Sequence, residues 1–294
     1  MDAPSDFGTI KINRLGRFIL TRILVAGLAL VLAMGLLRFF ENRLIFFPPR
    51  YPVGFSSPSA YGSQLEEVWI TARDGVRLNA WYLPQPPSRT AVLWFHGNAE
   101  NIGMGLEHLR SLSALGTNVL AIDYRGYGKS EGSPDEIGVY ADGDAAYDYL
   151  VGTLHFDPRS VFLYGHSLVG AVAIDVASRR ECGGLIAEST FTTVADMARR
   201  MFRLPLTQYL PRSRFDSLGK IARVRCPVLV IHGTRDAVVP FSMGQRLFQA
   251  APQPKAFLPV QGAEHDDPHI VGGREYWQKV SDFVNSNRER HFDR

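Results

Sequence analysis

Downstream of residue 64 the chain alternates short, unbroken apolar runs with longer stretches whose apolar positions recur at helical spacing. The runs Ala91 to Phe95, Val119 to Ile122, Val161 to Tyr164, Gly184 to Ala187, Val228 to Ile231 and Ala256 to Val260 read as strands. Such continuous runs suit a sheet covered on both faces. The stretches Leu106 to Leu115, Glu136 to Leu150, Leu168 to Ser178, Met243 to Ala250 and Arg274 to Asn285 read as helices. Alternation of this kind predicts an α/β domain with a mostly parallel central sheet and helices on both faces. Two further strands, Leu65 to Thr71 and Val76 to Leu83, flank an Asp74-Gly75 pair, a turn signal that makes them an opening hairpin.

The N-terminal part has a different pattern. Ile23 to Leu37 carries no charge, and Phe18 to Thr21 extends the apolar stretch if the Arg22 guanidinium reaches back toward a headgroup. A bilayer-spanning helix needs about 20 apolar residues, so residues 18–40 are expected to form a transmembrane anchor. Its apolar character runs all round, unlike the single stripe of a core helix. A cleaved signal peptide is the main competitor: Lys11, Arg14, Arg17 and Arg22 precede the apolar centre, and Ala33-Met34-Gly35 weakly resembles a cleavage site. Continuation of the apolar stretch through Leu37, followed by Phe39, Phe40, Ile45 and Phe46, favours the uncleaved anchor. The basic N-terminus, residues 1–17, then lies in the cytoplasm and the catalytic domain on the opposite side, with Arg38 and Arg43 weakening the asymmetry. Residues 41–64, rich in proline, glycine and serine from Pro48 onward, read as a linker into a domain over residues 65–294.

Composition narrows the function. A net charge of +3 with no interleaving of basic and aromatic residues argues against nucleic-acid binding. Cys182 and Cys226, the two cysteines, fit no metal-ligand spacing. They precede the expected strands Gly184 to Glu188 and Val228 to His232, which as neighbours would allow a disulfide; two buried free thiols are equally consistent with the sequence. Gly128-Lys129-Ser130 lacks the earlier glycine of a phosphate loop. In His265-Asp266-Asp267-Pro268-His269 the proline breaks any simple helical ligand arrangement. Neither a metal nor another cofactor is expected.

The chemistry lies in three positions. Gly165-His166-Ser167-Leu168-Val169-Gly170 follows a strand, where a sharp turn into a helix exposes a serine hydroxyl. Asp236 follows the run ending at His232, and His265 follows the last strand, giving the chain order serine, acid, histidine. A serine hydroxyl is a weak nucleophile, so His265 is expected to take its proton and Asp236 to orient the imidazole. The backbone amides of Asn98, in His96-Gly97-Asn98, and of Leu168 are the expected oxyanion donors. Each residue has a blander reading: a surface serine, a turn-capping aspartate, a satisfied core histidine. Joint placement favours the triad. His166 reads as structural, and Asp266 and Asp267 are too close to His265 in the chain to orient it. The usual glycine two places after the serine is replaced by Val169, with Gly170 one place late; the elbow is expected to survive with local adjustment.

These motifs, with Asp123-Tyr124-Arg125-Gly126-Tyr127-Gly128, Gly233-Thr234-Arg235-Asp236 and Gly262-Ala263-Glu264-His265, resemble the α/β-hydrolase superfamily over Leu65 to Asn285. The chain is especially similar to membrane-anchored serine hydrolases and to prolyl-aminopeptidase-type enzymes. The resemblance implies ester, thioester or peptide hydrolysis without metal or nucleotide. The longest excursion, residues 189–225, reads as a small cap in which Phe191, Met197, Met201, Phe202, Leu204 and Leu206 cover a pocket, or equally as an ordinary crossover packed on the sheet. Its basic residues, Arg199, Arg200, Arg203, Arg212, Arg214, Lys220, Arg223 and Arg225, suit a membrane surface, an anionic substrate or a solvated face. The expected partners are a small or lipid-derived acyl substrate and membrane lipid. A peptidase of aminopeptidase type and a noncatalytic membrane-anchored scaffold are the alternatives.

Overall fold

A computed structural model of the chain describes residues 13–51, 58, 64–202 and 211–292. It divides into two compact units, Met1–Glu41 and Asn42–Arg294. Helix α1 runs Arg14–Ile45, and within it lies a window of mean hydropathy 2.4, long and apolar enough to cross a membrane. Leu24, Leu28 and Leu32 on this helix are exposed, as they would not be in the core helix of a soluble protein. Lys11 and the rest of residues 1–12 lie outside the described residues.

The second unit is built on an eight-stranded sheet of order β1-β2-β4-β3-β5-β6-β7-β8. Strands β1 (Glu66–Thr71) and β2 (Arg77–Leu83) form the expected antiparallel hairpin, and β2 also runs antiparallel to β4 (Asn118–Ile122). Strands β3 (Ala91–Phe95), β4, β5 (Val161–His166), β6 (Gly184–Glu188), β7 (Val228–Gly233) and β8 (Lys255–Val260) are parallel. Successive side chains on a strand point to opposite faces. Leu93, Phe95, Val161 and Leu163 therefore enter one core, under α3 (Glu136–Asp148) and α4 (Gly170–Arg179), with α6 (Ser217–Ile221) and α7 (Phe241–Ala250) on the same side. Val92, Trp94, Phe162 and Tyr164 enter the other, under α2 (Leu106–Ser113) and α8 (Gly273–Phe292). Two buried faces explain why the middle strands show no polar alternation.

The excursion holds α5 (Val194–Phe202) and α6 among its described residues; Arg203, Leu204 and Leu206 lie outside them. Phe191 and Met197 belong to the main core, the crossover role, whereas Met201 is 71% exposed. Glu136 at the start of α3 accepts the amides of Arg214 (2.6 Å) and Phe215 (2.7 Å), tying the excursion to the body. Cys182 and Cys226 are free buried thiols in contact, Sγ to Sγ 2.8 Å.

The compact unit begins earlier than the sequence suggests. Residues 45–51 read as linker, yet Phe46 is buried in the main core and Tyr51 stacks on Trp81 with centroids 6.2 Å apart. Proline, glycine and serine content from Pro48 onward predicts an irregular connection here, and the segment is irregular but not loose. Residues 41–44 of the expected linker continue α1, and residues 52–64, apart from Pro58 and Gln64, lie outside the described residues.

Candidate active site

Parallel strands deliver their following loops to one edge of the sheet, where α/β folds place their sites. Ser167 begins the turn between β5 and α4 and holds φ +57, in the left-handed region that serine seldom occupies. Small neighbours permit the turn. A Cβ on Gly165 would lie 2.7 Å from the Gly170 Cα and the Val169 carbonyl, and one on Gly170 would lie 2.6 Å from the Thr190 Cβ. The close approach thus falls at Gly170, one residue after the usual position. Val169 has φ −86 and ψ −4, right-handed values open to any residue, and its side chain is 2% exposed within the main core. Nothing at this position requires glycine, and Ser167 itself remains half-buried.

The three expected side chains converge. Ser167 Oγ lies 2.8 Å from His265 Nε2, and His265 Nδ1 lies 2.8 Å from Asp236 Oδ2. Asp236 ends a tight turn after β7, where its Oδ1 accepts the amides of Val238 (2.9 Å) and Val239 (2.7 Å). Burial alone would raise its pKa, but hydrogen bonds from His232 and His265 and from the Val239 amide hold the carboxyl well below the usual carboxylate range. An ionised Asp236 sets the His265 tautomer: Nδ1 carries the proton and Nε2 presents a lone pair to the serine hydroxyl. This arrangement can move a proton from Ser167 as its oxygen attacks a carbonyl.

Sequence reasoning missed His232. Fully buried on β7, it donates from Nε2 to the Val239 carbonyl at 2.9 Å and lies 3.3 Å from Asp236 Oδ2. Gly244 makes room for it, since a Cβ there would sit 2.4 Å from His232 Nδ1. The signal was a histidine inside an apolar strand four residues before the acid, easily read as a strand end. His166, expected to point away, instead lies beside His265, with its Nε2 3.0 Å from the His265 carbonyl and ring centroids 5.1 Å apart. His166, His265 and Asp266 also bring ligand-type atoms within 4.8 Å of one another. Both His265 nitrogens already face Ser167 and Asp236, so an ion bound there would compete with those contacts.

Asn98 lies in the turn after β3, where its amide donates to no backbone or side-chain acceptor among the described residues. Leu168 follows Ser167 at the start of the short helical turn leading into α4, the end of a helix at which amides are free. The loop after β4 is pinned by a buried charge cluster. Arg125 Nε and Nη2 reach Asp142 Oδ1 at 2.9 and 2.8 Å, and Nη1 reaches Asp74 Oδ2 at 2.7 Å. Residues 86–220 match the family model described as serine aminopeptidase, S33. Similar over most of their length are WAV2, an α/β-hydrolase domain-containing protein of Arabidopsis thaliana, and protein bem46 of Schizosaccharomyces pombe. WAV2 is 32% identical, covering 89% of this chain and 91% of its own, and bem46 is 33% identical, covering 90% and 92%.

The chain belongs to the α/β-hydrolase superfamily.

Among solved structures, this α/β-hydrolase is similar to the Pyrococcus furiosus esterase Pf2001, with TM-score 0.67 and 25% identity over 81% of this chain and 98% of that one. An α/β-hydrolase from Vibrio vulnificus shares the fold, at TM-score 0.69 and 20% identity over 84% of this chain and 93% of that one. The hydrolase fold and the strand-to-helix position of Ser167 therefore agree.

Proposed function

We propose that this α/β-hydrolase is a serine hydrolase that cleaves an acyl ester or thioester through Ser167, His265 and Asp236. The observation that carries the reading is the unbroken contact chain from Ser167 Oγ through the imidazole to a carboxylate, with the serine held in a left-handed turn. Ser167 attacks the acyl carbonyl while His265 takes its proton. The tetrahedral oxyanion is received by the amides of Asn98 and Leu168. His265 returns the proton to the leaving alcohol or thiol, and the same imidazole then activates water to release the acid from the acyl-serine. The esterase likeness supports an ester substrate, and the apolar helix α1 supports one derived from lipid.

The family model's description favours a second reading, hydrolysis of an amino-terminal peptide bond by the same triad. The test is fluorophosphonate labelling of full-length protein in detergent, followed by a panel of acyl esters, acyl thioesters and aminoacyl amides. Labelling that disappears in Ser167→Ala, with turnover of esters or thioesters, is expected. Cleavage confined to aminoacyl amides supports the peptidase, and a folded protein that takes no label supports a scaffold. We further propose that α1 is an uncleaved anchor with the N-terminus cytoplasmic and the catalytic unit on the other side. A mature chain beginning near residue 36 would overturn the anchor.

A further inference from the structure

The side chain of Asn98 is engaged on a segment that nothing in the chemistry above uses. Its Nδ2 donates to the Ile45 carbonyl at 2.7 Å, and its Oδ1 accepts from the Phe47 amide at 3.3 Å and from the Tyr127 hydroxyl at 2.6 Å. A carboxamide has two donor hydrogens and two acceptor lone pairs, so both acceptor directions and one donor are committed. Turning this residue breaks all three bonds at once.

The segment it holds is itself immobilised. Phe46 is 3% exposed and packs against Phe215 with ring centroids 6.1 Å apart. The Pro49 carbonyl accepts the Gly128 amide at 3.0 Å, and the Arg50 guanidinium donates to the carbonyls of Ser130 at 2.8 Å and Gly128 at 3.3 Å. Residues 45–50 thus lie as a splint across two loops, the one after β3 that carries Asn98 and the one after β4 that carries Tyr127 and Gly128. A backbone amide in a loop at a strand end has no ladder partner to fix its direction. Here the side chain of the same residue fixes it.

We infer that residues 45–50, acting through the side chains of Asn98 and Tyr127, position the Asn98 backbone amide as an oxyanion donor. The segment that follows α1 is then a positioning element of the reaction and not a tether. The inference rests on the serine-hydrolase reading above. Misplacing a reacting group by about 1 Å can cost on the order of 100-fold in rate. Losing one oxyanion donor costs about 100-fold to 1,000-fold.

The test uses full-length protein, a p-nitrophenyl ester and phenylboronic acid, whose tetrahedral adduct on a serine puts an oxygen where the oxyanion forms. Asn98→Ala is expected to lower kcat about 10-fold to 100-fold with KM within about twofold, and to raise the boronic acid Ki by the same factor as kcat falls. Tyr127→Phe keeps the ring and removes one bond, so a smaller parallel loss, about threefold to tenfold, is expected with little change in melting temperature. It serves as the reporter if Asn98→Ala does not fold. Variants that melt normally and keep kcat within twofold overturn the inference. So does a fall in kcat that leaves the boronic acid Ki unchanged, the signature of a merely structural effect. Absence of fluorophosphonate labelling at Ser167 in the wild type removes the hydrolase reading and this inference together. Normal labelling with unaffected variants removes this inference alone.

Discussion

Replacing Val169 with glycine restores the usual elbow pattern, and the structure predicts that it does harm. The valine backbone already sits at φ −86, ψ −4, so glycine's conformational freedom relieves nothing. What is lost is a side chain 2% exposed in the main core. Removing a fully buried valine costs about 1.5–3 kcal/mol of apolar burial, and the surrounding cavity adds to that. Glycine at the entrance to α4 adds roughly 0.5–1 kcal/mol of backbone entropy. The sum is about 3 kcal/mol, equivalent to a fall of roughly 6–12 °C in melting temperature for a domain of this size. Thermal unfolding followed by circular dichroism measures the first quantity, and turnover of a p-nitrophenyl ester the second, with kcat expected within a few-fold of wild type. A Val169→Gly protein that melts as high as wild type, or turns over ten times faster, would mean that the elbow does need its glycine at 169.

The buried cluster around Arg125 predicts an asymmetric pair of variants. Arg125→Met leaves the fully buried Asp142 carboxylate uncompensated and should cost about 3–5 kcal/mol in urea unfolding, while the added change Asp142→Leu recovers most of it; equal damage from single and double variants would contradict this. The depressed carboxyl of Asp236 fixes a pH dependence. Its folded value lies below the unfolded one of about 3.9, so its ionised-state contribution is complete above that pH and is lost as pH falls through the folded value. The stability difference between wild type and Asp236→Asn should therefore not shrink between pH 8 and pH 5 and should begin to close only below about pH 4. A gap already closing between pH 7 and pH 5 would show that the carboxyl titrates far higher.

Much of the sheet was legible because its middle strands are buried on both faces, which leaves an unmistakable run of apolar residues such as Ala91 to Phe95. The convergence of Ser167, Asp236 and His265 was legible too, since each follows a strand of one parallel sheet and parallel strands end on one edge. Illegible were the side-chain bonds across the chain that no motif announces. His232 looks like the polar end of a strand until Asp236 folds back over it, and Asn98 looks like an amide donor alone until Ile45 and Phe47 are seen on its carboxamide. The segment 45–51 reads as a tether because proline and arginine say nothing about which distant carbonyls they meet. The tight glycine contact at 170 depends on Thr190 from the loop after β6, a neighbour that no local pattern reveals.

The left-handed backbone of Ser167 has an evolutionary consequence. A non-glycine residue held there costs on the order of 1–3 kcal/mol. Glycine in its place would relax the turn and, on the proposed reading, make a hardier but inert protein. Screening libraries of this chain for heat resistance alone would thus enrich sequences that have discarded the proposed nucleophile, and only a screen coupled to turnover would keep it.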